Sequence, residues 1–165
     1  MTLTDLVAMR GTFQLLAVLT LALVAWRRGG SPEKISAGVL LGVLLLDRFY
    51  HFILTGGKTI GFEGTYWQVD IGHVVIDVAA LAIILAITLR ANRIYPLCLT
   101  ALQLITVASH FSRVITPVFE PGAFALMSLG PVYMQIATLG IGLASHMRHQ
   151  RIHGAYRSWR ASSVR

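Results

Sequence analysis

Five long apolar stretches leave this chain few folds to choose from. A helix needs about 20 predominantly apolar residues to cross about 30 Å of hydrocarbon. Runs of that kind extend from about Leu3 to Trp26, Ile35 to Phe52, Trp67 to Leu89, Ile94 to Ile115 and Ala123 to His146. They are separated by turn-forming or charged segments: Arg27-Arg28-Gly29-Gly30-Ser31-Pro32, Thr55-Gly56-Gly57-Lys58, Arg90-Ala91-Asn92-Arg93, and Thr116-Pro117 through Pro121-Gly122. Such Gly and Pro punctuation ends helices. The predicted fold is all-α: a polytopic membrane protein built as a five-transmembrane-helix bundle over residues 1–146. A basic juxtamembrane tail follows over 147–165.

Composition supports this reading. Of 165 residues, 55% are hydrophobic and 13% charged, against about 45–50% and about 25% in soluble domains. That much apolar surface cannot be hidden inside a small globule. A cleaved leader fits the first stretch poorly. No cation but Arg10 precedes its apolar run, which closes on Trp26-Arg27-Arg28 and not on small residues.

Orientation follows from the cations. With five spans, one face collects Arg27, Arg28, Lys34, Arg90, Arg93, Arg148, Arg151, Arg157, Arg160 and Arg165, ten of the fourteen Lys and Arg residues. That face is expected to be cytoplasmic, with the carboxyl terminus inside and the amino terminus outside. The implied location is a bacterial-type inner (plasma) membrane, crossed several times. The net charge of +7 is then a topology signal and not an affinity for nucleic acid. The expected partners are the lipid bilayer and either another membrane protein or further copies of the chain. The basic tail would suit an anionic inner leaflet. A single cysteine, Cys98, excludes an internal disulfide and any Cys-based metal framework.

Small residues let helices approach in lipid. Gly38 and Gly42 on the second stretch, and Gly140 and Gly142 on the fifth, are expected to pack within the chain. Pro131 should kink the fifth helix. Tyr50, Phe52, Phe62, Tyr66 and Trp67 would form an interfacial belt.

The informative residues are those that do not belong in hydrocarbon, where a charge at the bilayer centre costs about 2.5–3.5 kcal/mol on the insertion scale. At about 100° per residue, Asp70, His73 and Asp77 fall within an arc of about 60° on the third stretch. Asp47 and His51 stand one turn apart on the second stretch. Gln103, Thr106, His110 and Arg113 form a stripe on the fourth. Arg10 with Gln14, and Tyr133 with Gln135, add polar groups from the first and fifth. Several helices thus turn polar faces towards one another in the outer half.

Four chemistries suit such a cluster. Imidazole and carboxylate bind transition metals such as copper or zinc, and His51, His73 and His110 with Asp47 and Asp77 are the expected ligands. A b-type haem would sit between His73 and His110. A proton or ion path would use Asp77, His73 and His110 in turn. In a structural network, Arg10, Arg48 and Arg113 would neutralise Asp47, Asp70 and Asp77. The Asp47-x-x-x-His51 pair, followed by a histidine on the next span, resembles the copper site in the C subunit of particulate methane and ammonia monooxygenases. That family places its later histidine much closer than His73 stands to His51, and three residues assign no family. His146, His149 and His153 recur at helical spacing beside arginines and are read as a solvated face.

No hydrolase, zinc-protease or phosphate-loop signature occurs, so no catalytic residue is assigned. The functional expectation is an accessory subunit of a larger membrane complex whose polar cluster is packing. The alternative is a metal- or haem-binding membrane protein, redox or transport, using His51, His73 and His110.

Overall fold

The computed structural model describes residues 3–55, 71–115, 121–154 and 157–159. The chain is all-α, with five helices and no strand among the described residues. They are α1 (Leu3–Arg28), α2 (Ser31–Thr55), α3 (Ile71–Arg90), α4 (Tyr95–Ile115) and α5 (Pro121–His153). Expectations for Phe62, Tyr66, Trp67 and Asp70, and for the side chain of Arg113, fall outside the described residues.

The boundaries have local causes. Gly29 and Gly30 separate α1 from α2, and Pro32 occupies the first turn of α2, where its missing N–H costs nothing. Pro96 does the same for α4. Helix α5 runs through Pro131, which removes the donor to the Met127 carbonyl. It continues past His146 to His153 because no breaker intervenes. It ends at Gly154, whose φ of 75° closes a left-handed cap that glycine adopts without a Cβ penalty. The Gly154 amide donates to the Gln150 carbonyl at 3.0 Å.

Each helix packs on its neighbours in sequence, α1 closes the ring against α5, and α2 also touches α5. Val18, Ala25, Ala37, Leu40, Ile84, Tyr95, Leu99, Leu139 and Leu143 form a continuous apolar core. Most of it lies towards the end where the α1–α2 and α3–α4 connections sit, the basic end. The opposite half holds buried Gln14, Gln103, Thr106, Ser109 and Gln135. Meanwhile Phe13, Leu23, Phe49, Ile71, Leu97 and Ile141 face outwards. Polar groups inside and large apolar groups outside invert the usual distribution in soluble proteins. Two helical segments, Ser31–Ile53 and Ile71–Arg90, are long and apolar enough to cross a membrane among the described residues.

Two glycines permit close approach, and two expected to do so do not. A Cβ at Gly142 would run into the Tyr95 ring, and one at Gly72 into the Tyr50 ring. At Gly38 and Gly42 a Cβ meets nothing within 4 Å. The expected intrachain packing of Gly38 and Gly42 is therefore corrected: α2 is rotated so that this pair faces away from its neighbours.

The basic end is tied by a buried clasp. Arg93, between α3 and α4, donates through Nε to Glu33 Oε1 at 3.0 Å and through a terminal nitrogen to His146 Nδ1 at 3.1 Å. Glu33 is fully buried. His146 is buried as well, which corrects its assignment to a solvated face. It lies on the inward side of α5, while His149 and His153 are exposed and stack at 4.3 Å between ring centroids. Beyond Gly154 the tail folds back. The Asn92 amide donates to the Ser158 carbonyl at 3.2 Å, and Trp159 forms an isolated bridge with Ala91.

Candidate metal centre

At the end opposite the clasp, α2 and α3 bring three ligating side chains together. Asp47 and His51 are four residues apart on α2 and so share a face. The next helix supplies His73. His73 Nε2 lies 2.6 Å from Asp47 Oδ1, and His51 Nε2 lies 4.0 Å from the same oxygen. One ligand atom from each of the three falls within 4.8 Å of the others. The two imidazoles are 4.8 Å apart between centroids and tilted by 51°. Tyr50 sets its ring edge-on to His73 at 5.6 Å, a position open to it because Gly72 carries no side chain.

Four-coordinate zinc places nitrogen and oxygen ligands at about 2.0–2.2 Å, hence about 3.3 Å from each other. The His73–Asp47 contact is already tighter than that, and His51 needs to close by well under an ångström against Asp47. Two imidazoles and one carboxylate leave further coordination positions for water or another ligand. This donor set suits zinc, copper or iron and disfavours calcium or magnesium, which prefer oxygen.

Asp77 and His110 do not join this set. His110 Nε2 donates to Asp77 Oδ2 at 2.9 Å, and Gln103 Nε2 donates to Asp77 Oδ1 at 3.0 Å. Gln135 Nε2 in turn donates to Gln103 Oε1 at 2.7 Å. The chain of contacts joins α3, α4 and α5. Side-chain exposure falls from 36% at Asp47 to 15% at Asp77, so this second group is the deeper one. The polar residues expected to converge on one point are thus divided between two, because His73 and Asp77 meet different helices.

No family model, curated protein or solved structure matches this chain. The residues themselves must therefore decide between the expected chemistries.

Among the described residues no arginine meets Asp47 or Asp77; Asp70 and the side chain of Arg113 lie outside them. Arg48 donates to the Gly11 carbonyl, and Arg10 Nε is buried without a hydrogen-bond partner among the described residues. Asp47 and Asp77 are met by imidazole and amide groups instead. Nor does haem fit this arrangement. His73 and His110 direct Nε2 at different carboxylates. Among the described residues, the cavity beside Asp77, Gln103 and Gln135 measures about 40 Å³, smaller than the about 300–1,000 Å³ that organic ligands occupy.

Sequence reasoning missed Gly72 and Tyr50 as supports of the site. The only available signal was a glycine immediately before a histidine at a helix start.

Proposed function

We propose that this chain is a five-span membrane protein, amino terminus outside and carboxyl terminus inside, that binds a divalent transition-metal ion at Asp47, His51 and His73. The observation that carries the metal assignment is the convergence of those three ligand atoms within 4.8 Å from two helices. Three supports favour the membrane assignment: the apolar exterior of the ring, the buried polar interior, and the Lys and Arg excess at one end. In this topology the metal centre lies near the outer surface, where an ion arrives without crossing hydrocarbon.

The protein side chains have definable roles. Asp47 supplies the charge that holds the cation. His51 and His73 set preference for borderline metals, and Tyr50 restrains the His73 ring. The open positions leave room for exchange, which suits delivery, sensing or redox use in a bacterial-type inner membrane.

A second reading, an accessory subunit of a larger membrane complex, is favoured by the Glu33–Arg93–His146 clasp. That cluster is a packing device tying helix ends together, and it requires no ligand.

The deciding experiment is Zn2+ titration of the detergent-purified chain, with metal content measured after chelator-free purification. The parent should bind a single Zn2+, and H51A, H73A and D47N should each weaken binding steeply while eluting as folded protein. Variants indistinguishable from the parent would remove the metal centre and leave the accessory-subunit reading.

A further inference from the structure

Asp77 raises a separate electrostatic question. It lies one turn of α3 from His73, about 6 Å along the helix axis, and deeper than Asp47. Among the described residues its partners are His110 and Gln103, neither of which carries a permanent positive charge. A part-buried carboxylate met by neutral groups is costly in a low-dielectric setting. Asp47, more exposed, stands beside two imidazoles. Asp47 on α2 and Asp77 on α3 together balance the charge of one divalent ion.

We propose that Asp77 and His110 form a second, inner station for a divalent transition-metal ion, reached from the Asp47–His51–His73 site. The inference rests on the outer trio being a metal site, and it adds a place for the ion to go.

Geometry favours an ion here. His110 Nε2 and Asp77 Oδ2 are 2.9 Å apart, close to the ligand–ligand spacing of about 3.3 Å around zinc. A cavity of about 40 Å³ adjoins Asp77, Gln103, Thr106 and Gln135. A water needs only about 10–15 Å³, so an ion with a retained water fits. A third donor is at hand. Turning the Gln103 and Gln135 amides by 180° together preserves a hydrogen bond between them and presents Gln103 Oε1 to the ion, which then replaces the two hydrogen bonds that Gln103 Nε2 donates to the Asp77 carbonyl and Oδ1. The two orientations are the same shape. Residues from all five helices line the cavity, which is closed on its far side by the apolar core around Ile84, Leu99 and Leu139. Asp77 is the cavity's charged lining residue, one turn of α3 below His73 of the outer site.

The test uses full-length protein in detergent and Zn2+ as the probe, with affinity read by competition against a chromophoric chelator. Because two carboxylates match one divalent ion, the parent should bind a single Zn2+. The H51Q/H73Q variant dismantles the outer site but keeps both carboxylates. It should still bind a single Zn2+, weaker by more than the about ten- to hundredfold that loss of a supporting contact costs. Adding H110Q or D77N to it should then eliminate binding, whereas D77N alone should leave the outer site loaded. If H51Q/H73Q does not elute as folded protein, H73Q is compared with H73Q/H110Q: residual Zn2+ lost on adding H110Q supports the inner station, and residual Zn2+ that survives it overturns it.

An H51Q/H73Q chain that binds no Zn2+, or whose remaining Zn2+ survives H110Q, overturns the inner station without touching the outer one. A parent that binds no Zn2+ overturns both.

Discussion

Arg93 and Glu33 meet across the basic end of the bundle at 3.0 Å, with 7% of the arginine side chain and none of the glutamate exposed. The pair joins the α3–α4 connection to the first turn of α2, and His146 extends it to α5. Removing one member of a buried pair strands the other charge, at a cost of about 3–5 kcal/mol. R93A should therefore lower unfolding resistance by about that amount in a mixed-micelle denaturation series. Replacing both partners, as in E33L/R93M, should recover most of the loss. A double variant no better than R93A would mean the clasp is not a pairwise unit.

Gly72 and Gly38 separate close approach from open space. A methyl group at Gly72 collides with Tyr50, and overpacking of this kind costs about 1–3 kcal/mol. G72A should lose that much stability and weaken Zn2+ binding, because Tyr50 can no longer lie against His73. G38A should instead stabilise by up to about 1 kcal/mol, the helix-propensity gain over glycine. Equal effects at the two positions would contradict the rotation of α2 described above.

Metal should also register as stability. A ligand that binds only the folded state at about a hundredfold above its Kd adds about 2.7 kcal/mol. Saturating Zn2+ should thus raise the denaturation midpoint of the parent, and the shift should shrink in H73A. A midpoint that ignores Zn2+ in the parent would argue against the centre.

Topology has its own test. In a C98S background, an R157C thiol should resist a membrane-impermeant maleimide in intact cells and react in inverted vesicles. Labelling of intact cells would reverse the assignment of inside and outside.

Much of the bundle was legible in the primary structure, because hydropathy reports where helices lie. The end of α5 was not. Its apolar run stops near His146, but backbone helicity persists until Gly154 provides a conformational stop. Pairs on a single helix, such as Asp47 with His51, followed directly from helical spacing. Contacts between helices did not, because periodicity leaves each helix free to rotate about its axis. For that reason His73 and Asp77, on one face of α3, looked like parts of one site. They are divided because α2 meets the first and α4 the second. The same freedom hid the burial of His146 and the outward turn of Gly38 and Gly42.

The return of the tail to Asn92 has a consequence for how the chain is made. The Asn92 amide finds its acceptor in Ser158, a residue synthesised only after α4 and α5 have both been completed. The α3–α4 turn therefore cannot reach its final form while the ribosome is still threading the last helix. Closure of that turn is a late event in biogenesis, and a nascent chain stalled before Gly154 could form the Glu33–Arg93–His146 clasp but not the tail contact to Asn92.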